Sequence, residues 1–220
     1  MVNFSTSEEN HIKTIFHLQQ KTETVTTNDL AEGIGTKPAS VTDMLKKLKT
    51  KKIVHYQPYQ GFRLTAEGEK YALDIIRRHR LWEFFLSEKL NFKWDEVHAV
   101  AEDLEHVSSR QLIERLDAFL GFPKFDPHGD PIPDNQGRVE ITQQLMLSEI
   151  KSNKIVTVSQ IKNQSVSLLE MLKHQQIQLG TKLEIKRRFE FDNSIEIKIR
   201  NKPAFIMSEQ QAQNIFVING

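Results

Sequence analysis

The sequence predicts a mainly α protein with a small β domain at its C-terminal end. Three observations carry this. As far as residue 121 or so, apolar side chains mostly recur at helical spacing, every third or fourth position. The stretch FPKFDPHGDPIPDNQG, residues 122–137, holds four of the seven prolines and breaks that texture as a loop. Beyond it come short runs rich in β-branched residues at 154–158, 182–188, 194–199, 204–206 and 215–218. The expected division is 1–73, 74–140, a linker over 141–152, and 153–220.

Phe4–Gln20 reads as the first helix, with Ile12, Ile15, Phe16 and Leu18 on a 3.6-residue period. Thr27 or Asn28 is expected to cap a short second helix whose Leu30, Ala31 and Ile34 face inward. Gly35 and its neighbours turn the chain. Pro38 suits the first turn of a third helix with Val41, Met44, Leu45 and Leu48 as its apolar stripe. Ser40, Thr42, Asp43, Lys46, Lys47 and Lys49 are left on its wet side. Ile53–Tyr56, a turn at Pro58-Tyr59-Gln60-Gly61 and Phe62–Thr65 then give a hairpin, and Thr65 and Gly68 mark the start of the next helix.

Helix, turn, helix and hairpin in this order form a winged helix-turn-helix. A lysine-rich helix face alone is usually just a solvated face. In this setting it reads as DNA-facing, with Thr27, Lys37, Pro38, Ala39, Ser40, Thr42 and Asp43 near base edges and Lys46, Lys47 and the wing residue Arg63 on phosphates.

The net charge of +1 conceals segregation. The three pieces carry +2, −5 and +4, and six lysines against one acid lie between Lys37 and Lys52. At 38% hydrophobic and 27% charged residues the 220-residue chain is globular. It has no apolar run of ~18 residues and no signal peptide, so a cytoplasmic protein without a membrane partner is expected. The absence of cysteine excludes disulfides, iron–sulfur clusters, zinc ribbons and a cysteine nucleophile.

The acidic middle holds four of the eight histidines. Tyr71–Leu90 reads as a long helix carrying His79 and Glu83, four apart and so on one face. A further helix from Asp95 to Val107 carries His98, Glu102, Glu105 and His106 at about 0, 40, −20 and 80 degrees around its axis. Such a stripe is costly to bury without a counter-charge, which a divalent cation supplies. Nitrogen and oxygen donors without sulfur suit Mn²⁺, Fe²⁺, Co²⁺ or Zn²⁺. No catalytic motif accompanies the stripe: there is no His-Glu-x-x-His, no Gly-x-Ser-x-Gly and no phosphate-cradling loop. Two other classes stay open on the residues alone. One is a winged-helix regulator of an organic effector with a structural His/Glu cluster. The other is a metal hydrolase fused to a DNA-binding module.

A winged helix followed by His79-x3-Glu83, then His98-x3-Glu102-x2-Glu105-His106, then the loop Phe125–Pro133, resembles the diphtheria toxin repressor family of metal-dependent regulators. The opening Glu9–Phe16 shares the resemblance, which covers nearly the whole chain. It implies a homodimeric, non-enzymatic repressor without a small organic substrate, reading an inverted-repeat operator in duplex DNA and controlling metal-uptake genes. It further implies a helical domain that dimerises and binds metal, and a C-terminal SH3-like β-barrel. Carried over by position, one site takes Asn10, Glu102, Glu105 and His106. A second takes His79, Glu83 and His98, or Glu83 with Asp126 and His128. Glu102 stands where iron-type members have Cys, and hard oxygen favours Mn(II) over Fe(II). Asn10 stands where the family commonly has Asp or Met. Glu170 and His174 are candidate ligands from the C-terminal domain.

Overall fold

The computed structural model describes residues 4–22, 24–57, 61–106, 109–140, 143–162 and 164–219. The expected hairpin turn at Pro58, Tyr59 and Gln60 and the expected helix end at Val107 lie outside the described residues. The chain divides into two compact units. The first comprises Met1–His79, Glu102–Leu116 and Pro133–Val139, and the second Arg80–Ala101, Asp117–Ile132 and Glu140–Gly220.

In the first unit, α1 (Thr6–Gln19) starts at a capping box. The Ser5 hydroxyl accepts the Glu8 N–H, and the Glu8 carboxylate accepts the Ser5 N–H at 2.8 Å. Helix α2 (Thr27–Ile34) is capped by Thr26 rather than by Thr27 or Asn28. Thr26 is extended, and Asp29 returns the hydrogen bond to its N–H. Gly35 ends α2 in the left-handed region at φ +73°, where a Cβ would be strained. Pro38 opens α3 (Pro38–Thr50), and Val41, Leu45 and Leu48 are its buried stripe. Strands β1 (Val54–Gln57) and β2 (Gly61–Leu64) pair antiparallel, Val54 opposite Leu64. Ile12, Ile15, Leu30, Val41, Leu45, Leu48, Ile53 and Leu64 join in one core.

Helix α4 (Ala66–Leu90) runs unbroken for 25 residues. Gly68 lies in its first turn, where the Gly68 N–H donates to the Thr65 hydroxyl at 3.1 Å. It is small because a Cβ there would stand 2.2 Å from the Ile53 carbonyl oxygen, which fixes the helix start against the wing. Helices α5 (Val97–Glu105) and α6 (Arg110–Phe119) follow, and α5 starts two residues later than the expected Asp95.

The second unit contains a six-stranded antiparallel sheet in the order β3-β8-β4-β5-β6-β7. Its strands are β3 (Leu145–Met146), β4 (Lys154–Ile161), β5 (Lys182–Arg188), β6 (Ile195–Ile199), β7 (Phe205–Met207) and β8 (Ile215–Asn219). Alternate residues point inward: Val156, Val158, Leu183, Ile185, Ile195, Ile197, Ile215 and Val217 are buried in one cluster. Helix α7 (Val166–His174) adds Leu169 and Leu172 to that core, and α8 (Glu209–Ala212) adds Ala212. Strand β3 falls within the stretch expected as linker, where Leu145 pairs with Val217. Irregular register in β4 between Val158 and Gln160, and in β5 between Ile185 and Arg187, bends the sheet.

Candidate metal centre and nucleic-acid interface

In the second unit, Glu83 from α4 meets Asp126 and His128 from the proline-rich loop. Each offers one ligand atom, all within 4.8 Å of one another, and all three side chains are buried. The loop is built to present them. Asp126 Oδ1 accepts the backbone N–H groups of His128 (2.8 Å) and Asp130 (2.9 Å), a local turn that Asp-Pro-His-Gly-Asp favours. This leaves Oδ2 buried without a hydrogen bond, 3.7 Å from Arg80 Nε. His128 Nε2 lies 2.9 Å from the Trp94 carbonyl oxygen, which can only accept, so Nε2 carries a proton. That turns Nδ1 toward Glu83 Oε2 at 3.8 Å, beyond hydrogen-bonding distance. Fixing one imidazole nitrogen on a carbonyl so that the other faces the ion is the usual second contact of a metal-bound histidine.

The electrostatics point the same way. Burial, with the charges of Asp130 and Glu83, pushes the Asp126 carboxyl up to about 8, against the opposing pull of Arg80 and His128. Burial pushes the His128 ring down, but Glu83 and Asp126 outweigh it and hold the ring above its ordinary value. The His128 shift, and the part of the Asp126 shift that Asp130 and Glu83 cause, report a surplus of negative charge, which a divalent cation would neutralise. Buried oxygen and nitrogen atoms lacking hydrogen bonds, in a set without sulfur, fit a borderline or hard divalent ion. His98 touches the edge of this cluster, its Nδ1 3.2 Å from Glu83 Oε1, with its side chain 48% exposed. Glu170 and His174 lie exposed on α7 and are not in the cluster.

In the first unit the other candidates surround Glu105, whose side chain is fully buried. Its Oε2 is 2.6 Å from His79 Nδ1, and its Oε1 is 2.6 Å from Lys13 Nζ and 3.3 Å from His106 Nε2. Burial would raise the Glu105 carboxyl, but the His79 hydrogen bond and the Lys13 charge hold it below its ordinary value. Lys13 also reaches Glu102 at 3.0 Å. Glu102, Glu105 and His106 are therefore held by neighbours and are not gathered into a three-ligand set of their own. From α1, Glu9 rather than Asn10 reaches His106, its Oε2 2.6 Å from Nδ1, while its Oε1 pairs with Arg78 at 2.8 Å. Asn10 is half-buried, and its carbonyl accepts the Thr14 hydroxyl one turn on. Glu9 and Lys13 escaped the sequence reading, although their i,i+4 spacing puts them on one face of α1.

The outer face of α3 is exposed throughout: Lys37, Pro38, Ala39, Ser40, Thr42, Asp43, Lys46, Lys47 and Lys49. Asp43 pairs with Lys46 at 3.0 Å. Thr27 and Arg63 are half-buried. The wing is tied to the approach of α2, since the Phe62 N–H donates to the Val25 carbonyl at 3.0 Å.

Three family descriptions match in succession. They are the iron-dependent repressor N-terminal DNA-binding domain over residues 3–62, the iron-dependent repressor metal-binding and dimerisation domain over 65–134, and the FeoA domain over 145–219. The chain belongs to the iron-dependent repressor family. Among its relatives is the HTH-type transcriptional regulator MntR of Oceanobacillus iheyensis, 31% identical over 54% of this chain and 81% of that one. The iron-dependent repressor IdeR of Mycobacterium tuberculosis is 30% identical over 60% of this chain, and the match spans 56% of IdeR's own length. Among solved structures, a manganese-dependent transcriptional repressor in complex with manganese superposes at a TM-score of 0.86. It is 34% identical, with 96% of this chain and 99% of the other covered. ScaR with bound Cd²⁺ gives 0.81 at 29% identity, with 96% and 99% covered. The family's three-part order is the order found here: a winged helix-turn-helix, a helical stretch, and an SH3-like β domain. Among the described residues no helix is long and apolar enough to cross a membrane.

Proposed function

We propose that this iron-dependent repressor family member is a homodimeric, metal-activated transcriptional repressor. It binds Mn(II) or Fe(II) and then an inverted-repeat operator in front of metal-uptake genes, as a regulator rather than an enzyme, in the cytoplasm. The observation that carries the reading is the buried Glu83–Asp126–His128 cluster, with Asp126 Oδ2 and His128 Nδ1 lacking hydrogen bonds. Glu83, Asp126 and His128 would hold one ion, with His98 at the rim. Glu102, Glu105 and His106 would hold another, with Glu9 the carboxylate that α1 brings to His106 and His79 orienting Glu105. A bound ion supplies fixed positive charge among these acids and favours whichever arrangement of the chain gathers them best. The exposed α3 face, from Lys37 to Lys49, would enter the major groove, with Arg63 on the wing at the backbone.

Oxygen and nitrogen ligands without thiolate favour Mn(II). The similarity to a manganese-dependent transcriptional repressor and to a manganese regulator supports the same choice. A titration of operator DNA with the full chain, with Mn²⁺ or with anoxic Fe²⁺, tests the reading. Operator affinity is expected to rise at least tenfold with metal. Equal affinity with and without either ion would refute it, and calorimetry would then turn to organic effectors.

A further inference from the structure

The Lys13 ammonium stands where a cation bridging Glu102 and Glu105 would stand. Its Nζ is 3.0 Å from Glu102 Oε1 and 2.6 Å from Glu105 Oε1. Its side chain is only 13% exposed, and that of Glu105 not at all. From these contacts we propose that Lys13 is a built-in competitor of the metal. Its ammonium and a divalent ion contend for the same two carboxylates, so an ion binds there only by expelling Lys13. The inference rests on the reading of Glu102, Glu105 and His106 as metal ligands.

The argument is steric and electrostatic. A divalent first-row ion sits about 2.0–2.2 Å from a carboxylate oxygen. Bound to Glu102 Oε1 and Glu105 Oε1 together, it would fall within the space the ammonium fills. Two cations cannot share those oxygens, because they would stand in contact beside the buried Glu105 carboxylate, where their repulsion is large. Glu105 Oε1 also lies near His106 Nε2, so the ion gains an imidazole as it takes the oxygen. Expelling Lys13 is an event on α1, whose Ile12 and Ile15 belong to the core of the DNA-binding module. Lys13 would thus set the metal concentration at which this site fills, and would couple filling to the helix that carries it.

Two measurements on the full chain test this. The first needs no variant. Lys13 is acylated with an amine-reactive anhydride and the extent read by peptide mass spectrometry, with and without Mn²⁺. Labelling is expected to rise severalfold with Mn²⁺ in the native chain and to stay low in Glu102→Gln. The second compares Mn²⁺ binding to Lys13→Met and the native chain by counting unbound Mn²⁺ in its paramagnetic resonance spectrum. Lys13→Met is expected to bind about tenfold more tightly at one site per chain. If Glu102→Gln removes one bound Mn²⁺ but Lys13 labelling is unchanged by metal, or Lys13→Met binds equally or more weakly, the competitor role is overturned and the metal site stands. If neither Glu102→Gln nor His106→Ala lowers the number of bound Mn²⁺, the metal site itself falls, and Lys13's role with it.

Discussion

Gly129 faces the carbonyl oxygen of Ser159 so closely that a Cβ at position 129 would stand 2.1 Å from it. One residue earlier, the His128 carbonyl accepts the Ile161 N–H at 2.9 Å. The loop that carries Asp126 and His128 is therefore laid directly on strand β4, and the glycine is what allows the approach. Its φ of +85° adds a second reason, because other residues are strained there. Gly129→Ala is expected to lift the loop from β4 and weaken Mn²⁺ binding at the Glu83–Asp126–His128 cluster at least tenfold. Calorimetric titration of the variant with Mn²⁺ checks this, with circular dichroism to show that the sheet persists.

The Asp126 carboxyl makes stability depend on pH in a definite sense. Its value is about 8 in the folded chain against 3.8 ordinarily, so the folded chain holds a proton that the unfolded chain releases. The stabilisation is complete below about pH 4 and is lost as pH rises through about 8. His128, also raised, acts in the same direction. Without metal, the melting temperature is expected to fall between pH 6 and 9, and the fall to shrink in Asp126→Asn. Mn²⁺ needs the ionised carboxylate, so its binding should tighten over the same interval and release protons. Titrations in buffers of different ionisation enthalpy count those protons.

Much of the fold was legible because its signals are local. Pro38, the Val41–Leu45–Leu48 stripe and Gly35 announce α2, the turn and α3 within twenty residues. The strands β4, β5, β6 and β8 show in their alternating Ile and Val. Strand β3 did not, because two residues carry no period and their pairing depends on distant β8. Helix α7 is hard to see because Leu169 and Leu172 sit between strands of a β-rich stretch. The metal candidates divide in the same manner. His79 and Glu83 share one helix face by spacing alone, and Asp126 and His128 are arranged by a turn read from their own neighbours. The α1 partners of Glu105 and His106, Lys13 and Glu9, lie some ninety residues away in sequence. No local rule selects Lys13 and Glu9 over Asn10 at that distance.

Glu105 is the buried acid on which Lys13, His79 and His106 converge, and Arg78 donates to its carbonyl. Removing its charge leaves Lys13 without its buried counter-charge and removes a hydrogen bond of His79. Breaking a buried ion pair from one side typically costs about 3–5 kcal/mol. Glu105→Ala is expected to lose stability in that range without any metal present, as read by urea denaturation. Glu102→Ala should lose far less, because its side chain is 48% exposed and its pairing is screened. Equal losses for the two would show that Glu105 is no hub.

The two faces of α3 should respond in opposite ways. Leu45 is buried in the core, and Leu45→Ala is expected to cost about 2–5 kcal/mol of stability through the cavity it leaves. Lys47 is exposed on the outer face, and Lys47→Ala should leave stability within about 0.5 kcal/mol of the native chain. Its effect belongs to DNA. A phosphate contact made by Lys47 releases a counterion from the duplex. Losing it should weaken binding to operator and unrelated DNA alike and reduce the slope of log affinity against log salt by about 1. Ser40→Ala, at the start of the helix, should instead narrow the gap between operator and unrelated DNA with the salt slope unchanged. Fluorescence anisotropy with both DNAs at four salt concentrations separates these outcomes. A Lys47→Ala protein with the native salt slope would take that lysine off the phosphate backbone.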